Sequence, residues 1–154
     1  MRIFVPFKLA DLSGIDISSR LVHGVTSNLC KAVPDEDAEG LEYVATLAAA
    51  DDSLRMMSLE DTCSFRRIVA VAEVANSLLT LPEADDEVLE SAIYLAEPIP
   101  ITKFESFLVD EPGKEILVQS AVAGDENAFI ATEDIELLWY DAIERKALYQ
   151  ELTN

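Results

Sequence analysis

The chain has 154 residues, half of them hydrophobic, and 30 Asp and Glu stand against 11 Lys and Arg, a formal net charge of −19. The apolar half excludes a disordered acidic tail, which lacks the side chains needed to offset the entropy of ordering, and the length predicts one domain, residues 1–154, with a self-sufficient core. The charge argues against nucleic acid, whose non-specific affinity comes from Lys and Arg displacing counterions, and against anionic lipid surfaces.

Residues 2–7 (RIFVPF) are β-branched and aromatic and predict a first strand that Pro6 helps to end. Residues 8–13 predict a short helix closed by Gly14, and 21–25 a weak second strand containing Gly24. Thr26 or Ser27 can cap a helix that runs to Val33 and stops at Pro34. The longest helix follows, with Asp35 as N-cap candidate and Glu36, Asp37 and Glu39 in its first turns, where anions suit the dipole. Tyr43, Leu47, Ala50, Leu54 and Met57 recur at helical spacing and predict its buried stripe. Ala45, Ala48 and Ala49 keep an adjacent face small, so that another element can approach closely, and Asp51 is spaced to pair with Arg55.

Residues 65–74 (FRRIVAVAEV) predict the strongest strand. Ile68, Ala70, Ala72 and Val74 point one way and Val69 and Val71 the other, so the strand is central and covered on both faces. Residues 75–90 form an acidic loop, and 91–95 a strand ended by the Pro98 and Pro100 stretch. One helical turn at 103–105, a strand at 107–109 and a helix at 115–122 before Gly124 come next. Over 136–141 the composition suits helix or strand; strand is preferred, followed by a helix to about Leu152 that opens with Asp141 and Glu144 as a capping pair.

The five glycines, at positions 14, 24, 40, 113 and 124, are too widely spaced for a Walker A loop or a G-x-G-x-x-G turn. His23, Cys30 and Cys63 fall short of a four-ligand zinc set, and no cofactor is implied. Asp35, Asp37, Glu39 and Gly40 echo an EF-hand loop, but its twelfth position is Thr46 rather than Glu. No G-x-S-x-G elbow surrounds a serine. His23 reads as a surface or weakly packed residue, with Ser27 and Cys30 nearby in sequence, and both cysteines as buried reduced thiols. The carboxylate pairs Asp51 and Asp52, Asp85 and Asp86, and Asp125 and Glu126 read as solvated surface. Arg66 and Arg67 are the most locally cationic spot, able to hold a carboxylate or phosphate but more simply paired internally with the acidic excess. Trp139 and Tyr140 suit a recognition surface, although Trp139 in an apolar run reads more simply as core.

Met1–Pro6 (MRIFVP), Gly40–Ala45 (GLEYVA), Arg66–Val74 (RRIVAVAEV) and Glu136–Tyr140 (ELLWY), in this order and spacing, resemble a family of small acidic actinobacterial proteins of unknown function. The resemblance covers nearly the whole chain. It implies a single cytoplasmic domain and a bacterial source, and it carries no activity, cofactor or catalytic residue.

The expected fold is α+β: a two-layer sandwich with a mixed or antiparallel sheet of four to five strands, helices on at least one face, and a ferredoxin-like arrangement as the specific expectation. The short apolar run between Arg2 and Lys8 is no secretory leader, and no stretch approaches the ~18 apolar residues of a membrane span, so the expected location is the cytoplasm. The expected function is a non-catalytic protein-interaction or regulatory module whose partner is a protein, cationic by complementarity, or a second copy of the chain. The alternative is a small enzyme or metabolite binder using carboxylates with Arg66, Arg67, Tyr43 and Tyr140 as convergent polar groups. Mimicry of nucleic acid by the acidic surface is a third, lesser reading.

Overall fold

The computed structural model describes residues 1–60 and 64–154. Its strands are β1 (Arg2–Phe7), β2 (Asp16–Ile17), β3 (Arg20–Gly24), β4 (Ile68–Glu73), β5 (Leu79–Thr80), β6 (Ala92–Leu95), β7 (Ile99–Pro100), β8 (Phe104–Asp110) and β9 (Leu137–Asp141). Its α-helices are α1 (Ser27–Ala32), α2 (Ala38–Arg55), α3 (Glu115–Val122), α4 (Glu126–Ala131) and α5 (Arg145–Thr153).

The alternation in β4 organises the fold. Ile68, Ala70, Ala72 and Val74 enter one core with Ile3, Val5 and Phe7 of β1, Phe107 and Val109 of β8, and Leu148 and Leu152 of α5. Val69 and Val71 enter the opposite core with Phe4, Leu41, Ala45 and Ala49. Both faces are therefore covered, as the apolar run of β4 requires. The sheet is larger than expected: seven strands in the order β5-β6-β3-β1-β4-β8-β9, every neighbouring pair antiparallel, plus a separate β2–β7 pair. It exceeds four to five strands because a strand as short as Leu79–Thr80 carries no periodicity signal and because residues 137–141 add β9; β8 spans residues 104–110, not 107–109 alone, and takes in part of the helical turn expected at 103–105. A four-stranded ferredoxin-like sheet and a two-layer sandwich are both corrected by this count and by helices on both faces. Pro6 does not end β1; beyond Phe4 the β3 ladder has stopped, and the Arg20 guanidinium takes the Pro6 carbonyl at 3.0 Å.

In α2 the Asp37 side chain, not that of Asp35, caps by accepting from the Gly40 N–H at 2.8 Å. Leu41, Ala45 and Ala49 face the sheet, and the small alanines allow close approach. Tyr43 is exposed and Leu47 half-buried, so the expected stripe is turned away from the sheet at its N-terminal end. A stripe of large residues outscores one of alanines by size, yet it is the small face that fits flat against a sheet. Arg55 pairs with Asp52 at 2.8 Å rather than with Asp51. Leu54 reaches Val118, Ala121 and Ala128, where α3 and α4 pack. The helix α4, unpredicted, starts at Asp125, which caps through the Ala128 N–H, just after Gly124 at φ +105°. Residues 137–141 are strand, and Asp141 and Glu144 form the predicted capping box.

Candidate functional site

Two features flank α2. On the first flank stands His23, at the end of β3. Parity puts Val22 into the α5-side core and turns His23 toward α2. His23 is fully buried. Its Nδ1 lies 2.7 Å from Ser91 Oγ and its Nε2 2.6 Å from Asp52 Oδ2. Arg55 Nη1 donates to the other Asp52 oxygen at 2.8 Å. Burial alone pushes the Asp52 carboxyl up, but the hydrogen bonds and charges of His23 and Arg55 outweigh it and hold Asp52 below the usual aspartate value. A carboxylate only accepts, so the hydrogen between His23 and Asp52 sits on Nε2. With the ring neutral, Nδ1 is the acceptor for the Ser91 hydroxyl. Ser91 is held by its backbone, its carbonyl accepting from the Gly24 N–H at 2.9 Å, and Thr26 Oγ1 ties down the neighbouring Glu90 carbonyl.

Ser91 lines a cleft of about 350 Å³ whose walls include Leu29, Val44, Leu47, Leu89, Phe129 and Ile130, with Asp51, Glu90 and Glu133 as its charged groups. Burial raises Asp51 above the usual aspartate value despite Arg67, whose Nη1 is 3.8 Å away. Behind Asp51, Arg67 Nε and Nη2 hold the buried Asp110 carboxylate at 2.9 Å, and Nη2 also donates to the Thr132 carbonyl. Arg67 Nη1 is buried without a hydrogen-bond partner among the described residues.

On the second flank a groove of about 360 Å³ runs between α2 and β9, lined by Tyr43, Thr46, Leu47, Leu108, Ile135 and Leu137. Leu47 also lines the cleft over Ser91, so the two depressions meet across α2. Trp139 stands opposite Leu108 in the β8–β9 register and is 62% exposed. The expectation of a core Trp139 is corrected: β9 is the last strand of the sheet and α2 does not reach over it.

The four residues singled out from sequence do not converge. Arg66 and Tyr140 meet on the α5 side, where Arg66 Nη1 donates to Glu151 at 2.7 Å and the Tyr140 hydroxyl donates to the same oxygen at 3.3 Å. Arg66 Nε also donates to the Asp110 carbonyl at 2.8 Å. Arg67 projects to the opposite face, toward Asp51. Tyr43, 57% exposed, lines the groove between α2 and β9, apart from the other three. Ser91 and Asp52, the partners of His23, were not legible: they lie 68 and 29 residues away from it in sequence. Three other expectations are corrected. His23 is deeply buried and doubly bonded, Asp51 and Asp52 are half-buried rather than solvated, and Cys30 is exposed. Cys63 lies outside the described residues. Among the described residues no three His, Cys, Asp or Glu side chains group to hold a metal ion, and no helix is long and apolar enough to cross a membrane.

The chain belongs to a family of unknown function: the model described as Family of unknown function (DUF6912) matches residues 1–149. No curated protein and no solved structure matches it.

Proposed function

We propose that this chain is a protein-interaction or regulatory module that takes an extended, basic segment of a partner protein along the outer edge of β9. The edge carries the proposal. The opposite edge, β5, is two residues long and too short to recruit a strand. β9 has five residues, with no Lys, no Pro and no bulge in its register, and Asp141 at its end is its one charged side chain. Exposed Tyr43 lines the groove beside it, and exposed Trp139 stands opposite Leu108, another of its lining residues; aromatic anchors, once buried, dominate binding energy at interfaces.

Charge selects the partner. No Lys, Arg or His lies between Lys114 and Arg145, while Glu133, Asp134, Glu136, Asp141 and Glu144 surround the strand. A second copy pairing antiparallel through β9 would bring Glu136 of each copy toward Asp141 of the other, a repulsive arrangement. A basic segment neutralises them. Docking of this kind involves no chemistry. Arg66 and Tyr140 support β9 from the α5 side, Tyr43 makes direct contact, and Arg67 holds the sheet beneath. The exposed Cys30 thiol suits the reducing cytoplasm as the place of action.

Trp139 is the only tryptophan, so its emission reports on this edge alone. Titration with a synthetic peptide of alternating Lys and Val should shift the emission to the blue, saturably, and the affinity should fall as salt rises. The Glu and Val counterpart, and the Lys and Val peptide N-methylated at alternate amides, should leave it unchanged. An equal response to all three peptides, or none to any, overturns the proposal.

A further inference from the structure

The line Ser91–His23–Asp52 lies on the other flank of α2 and owes nothing to the β9 edge. Three segments distant in sequence bring together a hydroxyl, an imidazole and a carboxylate at 2.7 and 2.6 Å. Asp52 is held charged, fixes the hydrogen on Nε2 and leaves Nδ1 as a base toward Ser91. This is the arrangement that activates a weak nucleophile: a base in hydrogen-bond reach, oriented by a third group. The ring nitrogens are used in the opposite sense from the chymotrypsin pattern, but they are conjugated, and either serves as base when the other is protonated.

We propose that Ser91 is an acyl-accepting nucleophile and that the cleft over it takes esters of apolar acids whose alcohol is neutral or cationic. Leu89, Phe129 and Ile130 supply apolar wall for the acyl chain, and Asp51, Glu90 and Glu133 repel anionic substrates. Ser91 Oγ attacks the ester carbonyl carbon as its proton passes to His23 Nδ1. The tetrahedral adduct collapses with loss of the alkoxide, which takes that proton and leaves as the alcohol. Water then repeats the sequence: His23 removes its proton, hydroxide adds to the acyl carbon, and Ser91 Oγ departs with the proton returned. The products are acid and alcohol, and no redox partner is needed. His23 is the base, and Asp52 is a positioning residue that acts through it.

The folded wild-type protein should displace fluoride from an alkyl fluorophosphonate, and peptide mapping should place the adduct on Ser91. Urea-unfolded protein and Ser91→Ala should not be labelled. With p-nitrophenyl butyrate, His23→Gln should lower acylation by ~10²–10⁴-fold, the usual contribution of a general base. Asp52→Asn should change the pH dependence of acylation as well as its rate, which a purely packing role would not do. Butyrylthiocholine should be cleaved and the mono-p-nitrophenyl ester of succinic acid should not. No adduct on folded wild-type protein, under conditions that label a serine hydrolase completely, overturns the inference whatever the variants do. So does an adduct elsewhere than Ser91. Neither outcome bears on the Trp139 titration.

Discussion

Arg67 and Asp110, both wholly buried, join β8 to the segment entering β4: Arg67 Nη2 meets Asp110 Oδ1 at 2.9 Å, and the Arg67 backbone N–H donates to Asp110 Oδ2 at 2.8 Å. Taking either charge away strands the other in the interior. Arg67→Met or Asp110→Leu alone should cost about 3–5 kcal/mol in urea denaturation. The double variant should be clearly more stable than either single one, since neither Arg67 nor Asp110 is then left as a buried charge without the other. A double variant as unstable as the sum of the singles would show that the two side chains are not energetically coupled.

Adjacent Asp51 and Asp52 should differ in sign. Asp52 is held below the usual aspartate value by His23 and Arg55 against the opposing effect of burial. Its contribution to stability is therefore complete above pH 3.8 and lost as pH falls below that value through its folded-state titration. Asp52→Asn should lower stability at pH 7 and flatten the acid limb of the stability curve. Asp51 is raised, chiefly by burial, so its charged form is disfavoured in the fold and protonation on acidification stabilises it. Asp51→Asn should be neutral or slightly stabilising at pH 7, within about 0.5 kcal/mol. Chemical denaturation of the three proteins from pH 3 to pH 7 separates the two effects.

Ser53 closes the end of the sheet. Its buried hydroxyl donates to the Phe7 carbonyl at 2.7 Å and accepts from the Ile68 N–H at 3.0 Å, linking α2 to β1 and β4 at once. Ser53→Ala leaves a buried donor and a buried acceptor without that partner, at a cost of about 1–3 kcal/mol. Amide exchange at Ile68 should accelerate in the variant more than exchange at Val71 in the middle of β4.

The first turn of α2 offers two substitutions of opposite sign. Asp37→Ala removes the cap on the Gly40 N–H and should cost about 1 kcal/mol. Gly40→Ala should add about 0.5–1 kcal/mol from helix propensity. The new methyl meets the Glu36 carboxylate, the end of a flexible side chain that can swing outward, and lies 3.3 Å from Asp37 Oδ1, the capping oxygen, which must give slightly. Thermal melts of the two single variants test both signs. A destabilised Gly40→Ala would show that Glu36 or the Asp37 cap cannot yield.

Elements with a long apolar alternation or with their own punctuation were readable from the sequence. β4 is legible from its five successive apolar residues, α1 from Thr26, α3 from its closing Gly124, and α5 from the Asp141 and Glu144 box. Two-residue strands such as β2 and β5 were not, because they exist only through a partner strand. The N-terminal end of the α2 stripe departs from expectation for a related reason: which face of a helix is buried depends on the shape of its neighbour, and alanines lie against a sheet where Tyr43 cannot, while Ala50 and Leu54 are buried as expected.

By itself the sequence determined the α+β class, the central and doubly covered β4, the acidic surface and the absence of glycine-rich phosphate loops, since each follows from local composition or short-range spacing. Only the tertiary structure decided the rest. It made β9 an edge and so turned Trp139 to solvent. It sent the adjacent Arg66 and Arg67 to opposite faces and gathered Ser91, His23 and Asp52 into one line. Those outcomes depend on strand order and on helices crossing the sheet, and the free energy that sets them comes from contacts between residues far apart in the chain, which no local pattern records.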